Sequence, residues 1–306
     1  MKNTTLCYIE QDGMYLMMHR NKKNGDCNRD KWIGIGGHIE ENESPYDCIL
    51  REAKEETGLW LQAPSYRGLI TFCSPCYETE FMHLFTANDF DGSLRADCPE
   101  GDLQWISREK LFSLPMWEGD KIFLHLMELP VPFFHLKLTY NADGVLLSHD
   151  LQFCGDSREP LLISACLLGT RCRYDGDTRP LSDAVLASLS ARYLLIPICG
   201  EVLGGLSVPR LPAELQPNGT VIRSDGVDVT QKYLDGALEI LKYAGYTNAK
   251  IALLKARSPS CGRGRIYDGS FTGTLTDGDG ITAAALIKAG VRVYTEEEVD
   301  LLCGES

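Results

Sequence analysis

Between Gly37 and Leu59 the chain reads GHIEENESPYDCILREAKEETGL. Glu52 and Glu55 are three residues apart and Glu52 and Glu56 four, so on a helix all three project from one face. Like charges at that spacing repel by about 0.2–0.5 kcal/mol per pair on an exposed helix. A divalent cation turns the repulsion into ligation, because hard cations such as Mg²⁺ take carboxylate oxygens together with phosphate and water. Arg51 can hold a neighbouring carboxylate through its planar fork. Gly36 and Gly37 let the backbone pass close to a ligand. An acidic helix face is more often simply solvated, and only the complete spacing argues against that.

The element that must position these groups is a helix over Pro45–Thr57. Ser44 is a good N-cap, Pro45 takes the tolerated first position, Asp47 falls in the first turn, and Gly58 reads as a stop. The whole pattern is a glycine, five residues, Glu43, seven residues, Arg51-Glu52, Ala53, one residue, Glu55-Glu56, one residue and Gly58-Leu59. It resembles the Nudix box without a departure. The resemblance implies an α/β/α sandwich with a mixed sheet, cleaving nucleoside diphosphates linked to another moiety with Mg²⁺ or Mn²⁺ and an activated water. It implies Glu52, Glu55 and Glu56 as metal ligands, Glu43 as support of the Mg²⁺ site, and Arg51 as the group orienting the carboxylates. Which glutamate is the base stays open.

Further on, CPEGDLQWIS, LPMWEGDKIF and FFHLKLTYNADGVLLSHDL resemble the back half of the 8-oxo-dGTP diphosphatases, including the vertebrate type. The resemblance implies that Trp117 stacks on a purine, with Glu118 beside it and Asp120 hydrogen-bonding the base. It also implies that Glu100 approaches the metal from outside the box. Two positions depart: Gly119 stands where a second base-reading aspartate is common, and Ile33 where the vertebrate enzymes carry an asparagine. A site that loses such partners loses discrimination, by several orders of magnitude at most. Triphosphate hydrolysis is therefore expected, strict 8-oxoguanine preference is not, and ADP-ribose or another nucleoside diphosphate derivative is the alternative substrate.

At 306 residues the chain has room for two domains, and the pattern changes around CGDSREP, giving expected domains of 1–156 and 157–306. No apolar run approaches the ~18 residues a membrane span needs, and the start lacks a signal-peptide layout, so a cytoplasmic protein is expected. Twelve cysteines there point to thiols or metal ligands rather than disulfides. The net charge of −13 is uneven: 25 acidic and 14 basic residues precede Ser157, against 18 and 16 from there on. An acidic first half is a poor platform for long nucleic acid, which fits small nucleotides as partners. All six histidines lie at or before His149, so chemistry in the second half runs without imidazole. Nothing in the sequence bears on oligomeric state.

The second half alternates apolar strands (LLISAC, YLLIPIC, IALLKARSPSC, VRVYT) with helical stretches near Ser182–Arg192, DVTQKYLDGALEILKYAG and ITAAALIKAG, before an acidic terminal helix. Such alternation predicts an α/β domain with a mostly parallel sheet. Ligands of these sheets gather at the carboxyl ends of strands, where Cys166, Cys199 and Cys261 fall. Thiols without histidine suit a soft metal or an iron–sulfur cluster; Cys172 is a possible fourth ligand, and Cys154, Cys303 and the N-terminal cysteines read as small apolar residues. The segments SACLLGTRCRYDG, PICGEVLGGLSVPRLPAE, DGVDVT, KARSPSCGRGRIYDGSFTG and GDGITAAAL closely resemble domain-of-unknown-function family 523, to which the 2-thiouracil desulfidases are similar. That implies a [4Fe-4S] cluster on Cys166, Cys199 and Cys261 whose free iron takes sulfur from a thiolated base. Cys199-Gly200-Glu201 departs from the common Cys-Pro-Glu. Arg257, Ser258, Ser260 and Glu201 are candidates for the pocket wall, and Asp175 and Asp268, in repeated YDG triplets, suit turns. The other reading of this half is an iron- or redox-sensing module without chemistry of its own.

Overall fold

In a computed structural model of the chain, residues 1–22 and 28–304 are described; Cys27, expected to be a plain thiol, lies outside them. Two compact units form, Met1–Asp156 and Ser157–Ser306. Among the described residues no helix is long and apolar enough to cross a membrane.

In the first unit the main sheet runs, in spatial order, through Leu146–Phe153, Phe134–Tyr140, Ser65–Ser74, Tyr77–Ala87, Lys2–Gln11, Met14–His19 and Trp32–Ile33, with Asp102–Ser107 also on Met14–His19. Lys2–Gln11 pairs in parallel with Tyr77–Ala87, and Ser65–Ser74 with Phe134–Tyr140; the other pairs are antiparallel, so the sheet is mixed. Alternation along the first strand sets the layers. Cys7 and Ile9 pack with Ile49 and Ala53 of the Pro45–Thr57 helix. Tyr8, between them, turns to the opposite face, its ring 6.0 Å from Phe123 of the Glu118–Met127 helix. The two helices thus sandwich the sheet.

The Pro45–Thr57 helix starts on a reciprocal cap: Ser44 Oγ accepts from Asp47 N (3.2 Å) and Ser44 N donates to the Asp47 carboxylate (3.0 Å). It ends at Gly58, whose φ of +80° and approach to the Ser93 carbonyl leave no room for a side chain.

In the second unit a four-stranded parallel sheet has the order Tyr193–Ile198, Glu159–Ser164, Ile251–Leu254, Arg292–Thr295. The first strand begins at Glu159, two residues before the apolar run LLIS. Pro160 is tolerated because it faces Leu194 alone; the Ile251–Leu254 neighbour joins only at Leu161. The helices are Asp183–Arg192, Gly200–Leu203, Thr230–Thr247, Ile281–Lys288 and Asp300–Cys303. The acidic end is therefore a short helix after a single 3₁₀ turn. Two hairpins, Ala213–Leu215 with Val221–Arg223 and Arg265–Tyr267 with Leu275–Asp277, interrupt the alternation. Because the first strand lies between the second and third in the sheet, the loops after these three diverge at their carboxyl ends and open a crevice there.

Candidate functional sites

The glycine loop of the first unit lies along the first strand. Thr5 N donates to Gly37 O (2.9 Å), and Cys7 and Ile35 exchange backbone bonds (2.6 and 2.9 Å). A Cβ at Gly36, φ +152°, would stand 2.1 Å from the Thr5 carbonyl; one at Gly37 would stand 2.3 Å from Glu52 Oε1. Gly36 is thus required by the strand, and Gly37 lies directly against the Glu52 carboxylate.

Arg51 organises the acidic face. Its Nε and Nη2 bind the two oxygens of Glu43 (2.6 and 2.9 Å), and Nη1 reaches Glu52 (2.8 Å) and Glu55 (3.3 Å). Those hydrogen bonds, with one from Glu40 N, lower Glu43 to about 2 and leave its oxygens engaged, so Glu43 holds Arg51 in place. Glu56 is buried and accepts from Gly36 N at 3.0 Å; burial first, then the charges of Glu100 and Glu52, push it up to about 8. Burial also raises Glu52, with Glu55 and Glu100 adding like charge. Glu55 sits at the rim, its side chain 60% exposed. Glu100 is ion-paired with Arg20. Among the described residues no three His, Cys, Asp or Glu side chains form a ready cage for an ion. The donor set nonetheless fits a hard cation: oxygens only, mutually repelling, beside a glycine loop, with phosphate and water left to complete the shell.

At the expected base site, Trp117 donates through Nε1 to Asn28 (2.8 Å), lies edge-on to Phe72 and Tyr140, and carries the Lys31 ammonium 4.4 Å from its ring centroid. Asp120 is buried and pushed up to about 8, first by desolvation. Glu118 is exposed and paired with Lys121. The departure at Gly119 has a packing cause. Its N–H donates to Tyr140 Oη (2.8 Å), and a Cβ there would meet Leu138 at 2.4 Å and that hydroxyl at 2.5 Å. Ile33 packs against the apolar core. Arg20, Asn28, Lys31 and Tyr140 escaped sequence reasoning, because strand register and loop placement, not spacing within a motif, bring each of them to its partner.

In the second unit Ser164, Ala165, Cys166, Cys172, Cys199, Glu201, Arg210 and Cys261 help line a cavity of about 480 Å³. Cys166 falls in the 3₁₀ turn after the first strand, Cys199 caps the Gly200–Leu203 helix after the second, and Cys261 follows the third. Cys172 lies against two of them. The Cys172 thiol, with one proton to share between them, lowers Cys166 and takes Cys199 down to about 7, and is itself raised. Burial pushes Cys261 up to about 12. Glu201 accepts from Arg210 Nε at 2.8 Å, and Arg210 Nη2 donates to the Cys172 carbonyl at 3.0 Å, which pins that loop to the wall. The donor set, thiols around a cavity with two of them acidified, fits an iron–sulfur group.

The Cys-Gly-Glu departure is again steric: a Cβ at Gly200 would stand 2.7 Å from both Ser260 Oγ and Thr282 Oγ1, which bond each other at 2.9 Å. Ser258 Oγ accepts from Ser260 N and Cys261 N, fixing the loop that carries Cys261. Arg257 pairs with Glu297. Asp175 binds Arg173 and the Asp177 amide, and Asp268 binds Ser270; both serve turns.

Comparison with known proteins agrees with both geometries. Residues 2–127 match the NUDIX domain family and residues 161–298 match 2-thiouracil desulfurase. The first half is therefore a Nudix hydrolase domain, of a class that acts on phosphoric anhydrides, joined to a 2-thiouracil desulfurase-like domain. The chain belongs to the NUDIX family through its first half and to the 2-thiouracil desulfurase family through its second. Uncharacterized protein YbbK of Bacillus subtilis is 41% identical over 46% of this chain and 97% of its own length. An oxidized purine nucleoside triphosphate hydrolase of Danio rerio is 31% identical over 49% of this chain and 94% of its own. Among solved structures, a [4Fe-4S]-dependent thiouracil desulfidase, TudS, is 41% identical over 47% of this chain and 95% of that one, with a TM-score of 0.46.

Proposed function

We propose that the first domain hydrolyses a nucleoside triphosphate with a modified base to the monophosphate and diphosphate, and that the second removes sulfur from a thiolated pyrimidine. The observation that carries the first part is the gathering of Glu52, Glu55 and Glu56 on one helix against the glycine loop, Glu52 and Glu55 held by Arg51 and Glu56 by the Gly36 amide. Glu52, Glu55 and Glu56, with Glu100 approaching from outside the helix, would hold Mg²⁺ or Mn²⁺. When bound, the cation offsets charge on the diphosphate and makes a water acidic enough to lose its proton. Arg51 keeps Glu52 and Glu55 oriented, a glutamate of this group accepts the proton, and Trp117 and Asp120 bind the base. The likeness to the Danio rerio enzyme supports an oxidised purine nucleotide, and the acidic surface supports small nucleotides over long nucleic acid as partners.

For the second domain, Cys166, Cys199 and Cys261 would hold a [4Fe-4S] cluster. When bound, the cluster supplies an open iron that takes sulfur. Glu201, held by Arg210 on the cavity wall, is placed to manage protons where imidazole is lacking. Neither activity needs a membrane, which suits a cytoplasmic protein.

Anaerobically purified protein tests both parts. Diphosphate release from a triphosphate panel is expected to require Mg²⁺ or Mn²⁺, and sulfide release from thiouracil to track iron content. Release of monophosphates from ADP-ribose alone overturns the first part; a cluster with no sulfide release makes the second domain a sensor.

A further inference from the structure

The strands Ile251–Leu254 and Arg292–Thr295 lie side by side and end together, Leu254 opposite Thr295. The residues that follow them therefore meet. Lys255, Ala256 and Arg257 lead into the loop that carries Cys261 and line the cysteine cavity. Facing them, Glu296–Glu298 forms a 3₁₀ turn. Each of these glutamates is ion-paired with a base of that loop: Glu296 with Lys255, Glu297 with Arg257 and Glu298 with Arg263.

The three pairs are not equivalent. The side chains of Arg257 and Glu297 are 49% and 55% exposed, and water screens such a pair until it contributes little. Glu298 bonds Arg263 at 2.8 and 3.0 Å, but it also caps its own turn, accepting from Thr295 N at 3.0 Å. Glu296 is the most buried of the three, its side chain 19% exposed and that of Lys255 23%. One of its oxygens takes the Lys255 ammonium and the other accepts from Ala256 N at 2.6 Å. A single carboxylate thus holds the side chain of one residue and the backbone of the next.

What it holds is strained. Arg257 has a φ of +65°, in the left-handed region that side-chain-bearing residues avoid. That bend carries the chain out of the strand to Ser258, whose hydroxyl accepts from Cys261 N at 3.2 Å. Such a conformation persists only where its surroundings fix it. Before the bend, Ser164 Oγ accepts from Lys255 N at 3.0 Å. Beyond it, Thr282 N donates to Ser260 O (2.9 Å) and Gly280 N to Gly262 O (2.8 Å), anchoring the loop to the start of the Ile281–Lys288 helix. Between those anchors the bend is gripped by Glu296.

We propose that Glu296 is a positioning residue of the cysteine site, fixing the strained bend before Cys261 so that this thiol stays against the cavity it shares with Cys166 and Cys199. Its bearing on a bound cluster rests on the iron–sulfur reading above; its bearing on the thiol does not.

The test compares Glu296→Ala, Glu296→Gln and Glu297→Ala in the full chain. Alkylation of each cysteine by iodoacetamide is followed in iron-free protein by peptide mass spectrometry. Iron affinity is read by chelator competition after anaerobic reconstitution, with visible absorbance as the signature of the cluster. Cys261 is buried, so its alkylation waits on local opening. In Glu296→Ala the rate at Cys261 should rise at least ~10-fold while that at Cys166 stays within about twofold. Iron affinity should fall about 10–100-fold, as when groups that orient metal ligands are lost. Glu296→Gln, which keeps an acceptor for Ala256 N, should fall between, and Glu297→Ala should match wild type within about twofold. An unchanged rate at Cys261 overturns the inference. So does an equal rise at Cys166, which would mean that the whole domain loosens, or an equal effect from Glu297→Ala, which would mean that any charge on the turn serves. A wild-type chain that takes up no iron removes the cluster reading, while selective opening at Cys261 would still uphold Glu296 as its positioning residue.

Discussion

Glu52 and Glu56 in the first domain are pushed up by burial and by like charge, whereas Cys166 and Cys199 in the second are pulled down by the Cys172 thiol that lies between them. The contrast follows from the donors. Carboxylates ionise readily, so burying several together costs free energy that a cation can relieve on binding. Thiols ionise reluctantly, and a neighbouring thiol that keeps its proton and shares it as a hydrogen-bond donor makes the two beside it more acidic. Positioning differs too. One arginine holds two glutamates of a single helix and a third from the loop just before it, while the cysteines come from three separate strand ends.

The sharpest break of the comparison is loss of one cysteine. Cys199→Ala is expected to abolish bound iron, visible absorbance and sulfide release, leaving nucleotide hydrolysis at wild-type rate. Retention of the cluster would remove Cys199 from the ligand set. Cys172→Ala should keep the cluster, since Cys172 sits in a loop rather than at a strand end; iron content per chain decides.

Next comes Glu56→Gln. The neutral amide keeps the size and the acceptor for Gly36 N but removes charge from the group, and a fall of about 10²–10⁴ in kcat is expected. Glu55→Gln, at the exposed rim, should cost less if Glu56 carries the larger share. An equal or greater loss at Glu55 would reverse their order. Arg51→Lys should follow at about 10–100-fold, as for groups that orient metal ligands, because lysine cannot hold both oxygens of Glu43 while also reaching Glu52. Full Mg²⁺ affinity in Arg51→Lys would show that the guanidinium fork is not what aligns the carboxylates.

These effects also mark how far the sequence could be read. The helix around Glu52 was legible because its cap, its stop and its acidic residues lie within one run from Ser44 to Gly58, and local spacing fixes local geometry. The parallel sheet was legible because three of its four strands are built on short apolar runs, LLI, YLLIPI and IALL, set between helical stretches. Arg20, Lys31, Tyr140 and the Glu201–Arg210 pair were not, since they meet their partners only through strand register or across loops. The small hairpins at Ala213 and Arg265 were hidden by length: three-residue strands carry too little alternation to register. Gly119 and Gly200 were visible as departures from their families, but their cause, a hydroxyl packed where a side chain would go, exists only in three dimensions.

The smallest expected effect tests whether a buried carboxyl outside the Glu52–Glu56 group behaves as that group does. Asp120 is raised to about 8 by burial, well above its usual range near 3.9. Between those values the unfolded chain has released a proton that the folded domain retains, so Asp120 stabilises the fold most below about pH 4 and that contribution fades as pH rises towards 8. Asp120→Asn carries no such dependence. The difference in unfolding midpoint between wild type and Asp120→Asn should therefore shift steadily against the wild type from pH 5 to 8, then level off. A difference that stays flat across this range would mean that Asp120 is ionised in the folded domain, paired more strongly by Lys31 than burial opposes, and the base site would then present an acceptor rather than a donor.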